Sequence, residues 1–265
     1  MNYYGDHDNV KLWQRRLYEA PTTFQNEHIK KLVEREYSLK TWCYEIANDS
    51  TQISMVSYGL NEVPMPIVNM THLTKLNLSW NNLSELPFEI GILTNLVELD
   101  LSFNQLKALP PEIGQEVERD ERGEISHISK FAVGGMVDLE FIDISNNVVG
   151  EIPNTFSRMV ELKEFVFDNN KVGMLPEGMS RWKLLTSFSP HQNSLMKLPH
   201  ELCSMDRLTY LNISKNKIGE LPQSIGKLVN LTYLDCSFNR LCQLPASLTH
   251  LEKLEVRLGG ERGDE

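Results

Sequence analysis

The segment LTKLNLSWNNLSELP, from Leu73 to Pro87, contains the pattern that the rest of the chain repeats. Its leucines, its central asparagine and its final Leu-Pro step return at intervals of 23 residues, with one longer interval. The later copies begin at Leu96, Leu139, Leu162, Leu185, Leu208 and Leu231. A fixed period in this range indicates small structural units that stack on one another and share a continuous core.

Each copy begins with alternating apolar and polar residues, which predicts a short strand. In the first full copy, Leu76 and Leu78 should point into the core. Lys75 and Asn77 should then point to the opposite face. About eight such strands should pair in parallel, and at about 4.8 Å per strand they would form an edge of roughly 35–40 Å. Proline has a fixed φ and no N–H, so the Leu-Pro step should lead into a brief helical or 3₁₀ turn, as in Phe88–Gly91.

An asparagine follows each strand, where the chain must turn inside the stack. Backbone groups lose contact with water there, and an asparagine amide can both donate and accept hydrogen bonds. We therefore interpret these residues as structural and not as a functional site. The ladder asparagines, as they are called below, are Asn81, Asn104, Asn147, Asn170, Asn193, Asn216 and Asn239.

The spacing L-x-x-L-x-L-x-x-N-x-L, seen from Leu73 to Leu83, resembles that of the leucine-rich repeat family. The 23-residue period and the L-x-x-L-P step are similar to intracellular members, such as Ras-pathway and plant intracellular scaffolds. The resemblance covers about residues 50–258. It implies an α/β solenoid, a curved array with one parallel sheet on its concave face. It also implies a non-catalytic protein that binds other proteins through that face.

The flanking segments suggest three parts. Residues 1–49 are expected to form a helical extension, with a second helix that caps the first repeat or binds a partner. Residues 50–258 should hold about eight repeats. The interval from Leu96 to Leu139 is 43 residues, which places an insertion at about 115–134. That insertion is either a partner contact or a tolerated surface loop. Residues 259–265 should be a flexible tail.

Composition restricts the class of partner and the compartment. The net charge of −10 argues against nucleic acid and anionic membranes as main partners. The chain has no apolar stretch long enough to span a bilayer and no secretory signal. Its four cysteines lack the clustering of extracellular disulfide caps, which favours a reducing, cytoplasmic location, with the cilium as an alternative. Cys236 stands where other repeats have a core Leu or Ile, so we interpret it as a packing residue. The glycosylation sequons at Asn77 and Asn212 fall on consensus positions of the repeat, so we interpret them as coincidental.

The candidate protein-binding residues are outward strand positions and the residues that follow the strands. Aromatic residues are neighbours in two places, Trp80 with Phe103 and Tyr210 with Tyr233, and such pairs can anchor an interface or pack over the turn. The middle of the face is acidic and its late part more basic, either to steer a partner or as a solvated surface. The full set is Trp80, Glu98, Asp100, Phe103, Phe141, Asp143, Glu164, Tyr210, Lys215, Tyr233 and Phe238.

No motif for phosphate binding, zinc hydrolysis or a nucleophilic serine occurs in the sequence, so we predict no enzymatic activity, no cofactor and no metal. Two functions remain. The first is a scaffold or adaptor that recruits a signalling enzyme. The second is a fixed subunit of a large assembly, such as a ciliary axoneme or an organellar complex. The protein would be a monomer or part of a hetero-complex, and the sequence does not identify the partner.

Overall fold

The computed structural model describes residues 51–115 and 135–257. Within them, nine three-residue strands form one parallel sheet, in which each strand pairs with the next along the chain. This confirms the predicted solenoid with a single parallel sheet. The strands are β1 Gln52–Ser54, β2 Lys75–Asn77, β3 Glu98–Asp100, β4 Phe141–Asp143, β5 Glu164–Val166, β6 Ser187–Ser189, β7 Tyr210–Asn212, β8 Tyr233–Asp235 and β9 Glu255–Arg257.

The register of the sheet follows the repeat. The middle residue of β2, Leu76, pairs with Leu99 of β3, which is 23 positions later. Leu99 in turn pairs with Ile142 of β4, so the long interval leaves the sheet unbroken. The coil closes where the described residues resume, because Met136 N–H donates to the Ile113 carbonyl at 2.7 Å. The predicted insertion falls almost entirely on residues 116–134, which lie outside the described residues.

The expected number of strands was too low by one. β9 pairs with β8, and Leu234 lies opposite Val256, a separation of 22 residues instead of 23. The final copy of the pattern is therefore one residue short, which hides its strand from a search for a strict period. The Glu255 N–H donates to the Thr232 carbonyl at 2.9 Å, the same bond that Tyr233 makes to Thr209 at 3.1 Å.

The far side of each coil contains a short helical turn, as predicted. In the second coil Pro87 has extended backbone with φ −65°, and its carbonyl accepts a hydrogen bond from Ile90 N–H at 3.0 Å. Proline fits this position because it needs no hydrogen-bond acceptor for its own nitrogen. The described turns are α1 Met65–Val68 and the 3₁₀ helices Phe88–Ile92, Pro111–Gly114, Asn154–Arg158, Met179–Arg181, His200–Ser204, Ile225–Lys227 and Ala246–His250.

The core between sheet and helical turns is built from the repeated leucines, and in the middle repeats from aromatic rings. Phe165 meets Trp182 edge to face, with ring centroids 5.6 Å apart. The Trp182 indole N–H donates to the Phe156 carbonyl at 3.0 Å, which satisfies its polar group inside the core. Cys236 is buried in a column otherwise held by apolar side chains, as its position in the repeat predicts.

The last helical turn is less well covered than those before it. Leu244 is 42% exposed, whereas Leu221, at the same position one repeat earlier, is buried. Leu251, after the same helical turn, is nevertheless buried. The expected helical cap at 1–49 and the tail at 259–265 lie outside the described residues, so the predicted domain boundaries remain predictions.

Candidate functional site

The outward side of the nine strands, here called the sheet face, carries the first and third residue of each strand. In β1 to β8 the middle residue is buried, and in β2 to β5 the first and third residues are half-buried. Alternate strand residues point to opposite sides of a sheet, so the sheet face is independent of the core. Residues of this face can therefore differ between repeats without changing the packing behind them.

The third strand residue closes a turn in most repeats. Asp100 Oδ1 accepts hydrogen bonds from Ser102 N–H at 2.9 Å and Ser102 Oγ at 2.7 Å. Asn77 Oδ1 makes the same bonds to Ser79, at 2.9 and 2.7 Å. Asp100 therefore supports the turn, a role beyond the partner binding that its outward position suggests. The signal was present as a recurrent Asx-x-Ser pattern, because Asp and Asn side chains favour such bonds to a backbone two residues on.

In the repeats of β5 and β6 the third strand residue does not supply this hydrogen-bond acceptor. Val166 occupies the third strand position of β5 and cannot accept a hydrogen bond. Asp168, two residues later, instead accepts from Ser189 Oγ at 2.7 Å and His191 N–H at 2.9 Å in the next repeat. The turn that follows β6 is thus held by a carboxylate from the preceding repeat.

Asp100, Asp143 and Asp168 form the carboxylate row, which crosses β3 to β5. Their hydrogen-bond donors are neutral, for example Ser145 N–H on Asp143 at 2.7 Å. Burial raises the pKa of Asp143 to about 6, and the charge of Asp100 adds to the increase. Burial likewise raises the pKa of Asp168 to about 6, with a further contribution from Asp143. The row is therefore a site of concentrated negative charge at neutral pH.

The glutamates near this row have lysine neighbours. Lys75 Nζ lies 2.7 Å from Glu98 Oε1, and Lys163 Nζ lies 2.7 Å from Glu140 Oε2. Both pairs are exposed and contribute little to stability. Glu98 and Glu140 are therefore each paired with a lysine, whereas the carboxylates of the row have neutral hydrogen-bond donors.

The residue before each ladder asparagine adopts a left-handed backbone, as does Ser57 at the same position of the first repeat, with φ between 51° and 61°. Because this conformation is costly for side chains other than Gly, Asn and Asp, its recurrence shows that the hydrogen bonds of the turn impose it. These residues form the turn column. Its members are Ser57, Trp80, Phe103, Asn146, Asn169, Gln192, Lys215 and Phe238.

Trp80 and Phe103 stack on each other in the turn column. Their ring centroids are 3.9 Å apart and their planes differ by 9°. Trp80 is 56% exposed and Phe103 is 38% exposed, so the stacked pair presents a large apolar surface to solvent. On the side away from Phe103, the next residue of the column is Ser57, which is too small to cover an indole ring.

Tyr210 and Tyr233 form the second stacked pair, at the first positions of β7 and β8. Their centroids are 4.6 Å apart and their planes differ by 4°. Both side chains are half-buried, and burial raises the pKa of the Tyr210 hydroxyl. Phe238 is 56% exposed in the turn column of the same part of the array.

The candidate residues fall into separate groups along the sheet. Trp80 and Phe103 lie next to the carboxylate row, since Trp80 N–H donates to Ser102, whose own N–H is held by Asp100. Phe141 and Glu164 begin β4 and β5 and pair with each other across the strands. The tyrosine pair is four strands beyond β3, roughly 19 Å away, so the two aromatic pairs are not one cluster.

Lys215 and His191 belong to the late part of the face. Lys215 Nζ is 3.4 Å from Gln192 Oε1 in the turn column. His191 Nδ1 lies 2.7 Å from Ser214 Oγ, and that hydroxyl in turn donates to Asn212 Oδ1 at 2.6 Å. Ser214 is buried, so this Ser-His contact serves the turn and does not present a nucleophile to a substrate.

The ladder asparagines join neighbouring turns, as Asn104 illustrates. Its Oδ1 accepts a hydrogen bond from Leu83 N–H at 3.0 Å, in the preceding repeat. Its Nδ2 donates to the carbonyl oxygens of Leu78 and Leu101, each at 3.0 Å. The same bonds recur at the other ladder positions.

A family model described as leucine-rich repeats (two copies) matches residues 71–112 and 206–253. These two segments are therefore similar to leucine-rich repeats.

Solved leucine-rich repeat structures share the fold. The ectodomain of the plant receptor kinase GASSHO1/SCHENGEN3 from Arabidopsis thaliana, in complex with Casparian strip integrity factor 2, is 27% identical over 74% of this chain, with a TM-score of 0.60. The PEPR1–AtPEP1 structure is 25% identical over 74% of the chain, with a TM-score of 0.61. An internalin from Listeria monocytogenes, at 21% identity and a TM-score of 0.52, covers 79% of this chain and 59% of its own.

The chain spans only 22% and 26% of the two plant proteins, so the comparison concerns the repeats and not the whole receptors. A search of curated proteins gave no match. Within residues 51–115 and 135–257, no group of three metal-ligating side chains is placed to hold an ion. In the same residues no helix has the length and apolar character needed to cross a bilayer.

Proposed function

We propose that this leucine-rich repeat protein is a non-catalytic scaffold or adaptor in intracellular signalling, and that it binds a protein partner through the sheet face. Leucine-rich repeat folds commonly mediate protein–protein interaction. A parallel sheet built from short, regular strands gives a rigid surface, and rigid surfaces lose little entropy on binding.

The observation that carries this proposal is the pair of aromatic stacks on one side of the array. Trp80 and Phe103 are exposed and make no core contact that the repeat needs, since Asn146 and Asn169 occupy the same column. Exposed aromatic side chains are the most frequent energetic anchors of protein interfaces. Stacking also fixes the rings before a partner arrives, which reduces the entropy lost on binding.

The solved neighbours support a protein ligand. The GASSHO1/SCHENGEN3 ectodomain is in complex with Casparian strip integrity factor 2. PEPR1 is in a structure with AtPEP1. These ligands belong to those receptors, and the likeness extends to this chain only as a mode of recognition by stacked repeats.

We also place the protein in the cytoplasm. Cys203 and Cys242 are not in disulfides, as a reducing compartment favours. The sequon at Asn77 is unsuited to a glycan, because Asn77 Nδ2 donates to Asp100 Oδ2 at 2.9 Å in the middle of the sheet. A sugar on that nitrogen would break the bond and crowd two strands.

Affinity purification from the native cell tests the proposal when it compares variants. The wild type is matched against Tyr210→Ala with Tyr233→Ala, and against Trp80→Asn with Phe103→Asn. Phe88→Ala is the control, since Phe88 is an exposed aromatic on the helical side of the coil. Every variant is first shown to unfold at a denaturant concentration close to that of the wild type.

The proposal expects at least one partner that is retained by the wild type and by Phe88→Ala, and that is lost with a sheet-face variant. A partner retained equally by all the proteins would show that another surface binds it. The proposal would then be wrong for the sheet face, although the fold would be unaffected.

A further inference from the structure

The surface around Trp80 combines two properties that lie side by side. The stacked rings of Trp80 and Phe103 are apolar and exposed. The carboxylate row begins in the adjoining repeat, where Asp100 holds the turn that contains Phe103. Apolar surface in the repeats of β2 and β3 is therefore followed by negative charge in the repeats of β3 to β5.

The negative charge of the row has neutral partners. Asp100, Asp143 and Asp168 accept hydrogen bonds from serine, asparagine and backbone donors. These bonds hold the carboxylates in place but do not neutralise them. Mutual repulsion within the row is relieved when a cationic group comes close, so the surface is complementary to basic side chains.

We propose that this surface binds a partner segment that combines a large apolar side chain with nearby basic side chains. The apolar group packs against the Trp80–Phe103 stack, and the basic groups lie over the carboxylate row. This inference rests on the proposed function, since it specifies the partner of the same sheet face.

The geometry sets the spacing in the partner. From the repeat of Trp80 to that of Asp143 is two strand intervals, roughly 10 Å, and to that of Asp168 three intervals, roughly 14 Å. An extended chain rises about 3.3 Å per residue. Because only every second side chain of an extended segment faces the same side, basic residues two and four positions from the apolar residue, about 7 and 13 Å away, would lie over the row.

Residues that are native at equivalent positions in other repeats suggest the substitutions. They remove either the charge or the aromatic rings and keep the hydrogen bonds of the turns. Asp100→Asn with Asp143→Asn removes charge, and Asn77 and Asn212 already make the required turn bond at the same position. Trp80→Asn with Phe103→Asn removes the rings, and asparagine is native in the turn column at Asn146. Phe238→Asn is the matched control, because Phe238 is an equally exposed ring in the same column, five strands from β3.

The probe is a set of fluorescent peptides of about twelve residues, long enough to cross the four repeats. All have a Gly-Ser backbone. The first carries one leucine and, two and four positions later, two arginines. The second has glutamine for arginine, the third has glutamate, and the fourth has serine for leucine. Binding is measured by fluorescence anisotropy at low and high salt, and the indole NMR signal of Trp80, assigned by its loss in Trp80→Asn, reports the site.

The inference expects the first peptide to bind about tenfold or more tightly than the others and to shift the Trp80 signal. Asp100→Asn with Asp143→Asn should remove the advantage of arginine and the salt dependence. Trp80→Asn with Phe103→Asn should remove the advantage of leucine, while Phe238→Asn should leave the affinity unchanged. Equal binding of the arginine, glutamine and glutamate peptides would overturn the inference.

The partner recovered by affinity purification separates the two proposals. Loss of that protein with both the charge and the ring variants supports the inference. If it is lost with the tyrosine double variant but retained by the charge and ring variants, the inference is wrong and the proposed function stands. If it is retained by all sheet-face variants, the proposed function fails first.

Discussion

The ladder asparagines share their acceptors, and this gives a quantitative prediction for Asn104→Ala. The substitution removes hydrogen bonds to the carbonyls of Leu78 and Leu101 and the bond from Leu83 N–H. However, Leu78 keeps a bond from Asn81 and Leu101 keeps one from Asn147. Only the buried Leu83 N–H loses its sole partner, so we expect a loss of about 1–3 kcal/mol in the free energy of unfolding.

The double substitution of neighbours should be worse than additive. With Asn104 and Asn147 both changed to Ala, the Leu101 carbonyl loses both of its donors. An additional buried acceptor without a partner should cost about 1–2 kcal/mol beyond the sum of the single losses. The control pair is Asn104→Ala with Asn193→Ala, because these residues share no acceptor and their effects should add.

Equilibrium urea unfolding, followed by circular dichroism and by tryptophan fluorescence, measures these free energies. The analysis is valid where the two signals give the same transition, a condition that repeat arrays must be shown to meet. Additive losses in the neighbouring pair would refute the sharing of carbonyls between ladder asparagines. A coupling of the same size in the distant control pair would refute it as well.

Three further predictions concern single positions. Trp80→Asn should change the free energy of unfolding by less than about 1 kcal/mol, because relief of the left-handed aromatic backbone offsets the lost stacking, as urea unfolding can check. Gly114→Ala should destabilise by about 1–3 kcal/mol, since a Cβ there would lie 2.3 Å from the Thr155 carbonyl oxygen, whereas Gly150→Ala, with nothing within 4 Å, should be tolerated in the same assay. Because the folded pKa of Asp143 is about 6, above the usual 3.8, its contribution to stability is greatest below about pH 4 and is lost as pH rises through 6. Asp143→Asn should therefore stabilise the protein at pH 7 by about 1–3 kcal/mol and flatten the pH dependence measured by thermal unfolding.

The repeat made most of the fold predictable from the sequence. Alternation at Leu76 and Leu78 predicts the strand, and the Leu-Pro step predicts the turn that follows it. Both patterns are local, so they do not depend on knowing the partner strand. β9 was missed because its copy is one residue short, and the pairing of Leu234 with Val256 depends on a neighbour rather than on a period.

The site was less predictable, for a different reason. The repeat period predicted that Trp80 and Phe103 would be neighbours, and the structure places them in contact. Their left-handed backbone was not predictable from the residues themselves, because tryptophan and phenylalanine rarely adopt it. It follows from hydrogen bonds between turns, such as that from Trp80 N–H to Ser102 O at 3.0 Å, which no single segment reveals.

Because the turn column takes its shape from the backbone of adjoining coils, very different side chains can occupy it without changing the fold. Serine, lysine, asparagine, glutamine and two kinds of aromatic ring all occupy the same conformation. Such positions resemble the variable loops of an immune receptor in one respect. Mutation can change these side chains one coil at a time, so selection can alter what the protein recognises while the fold stays the same.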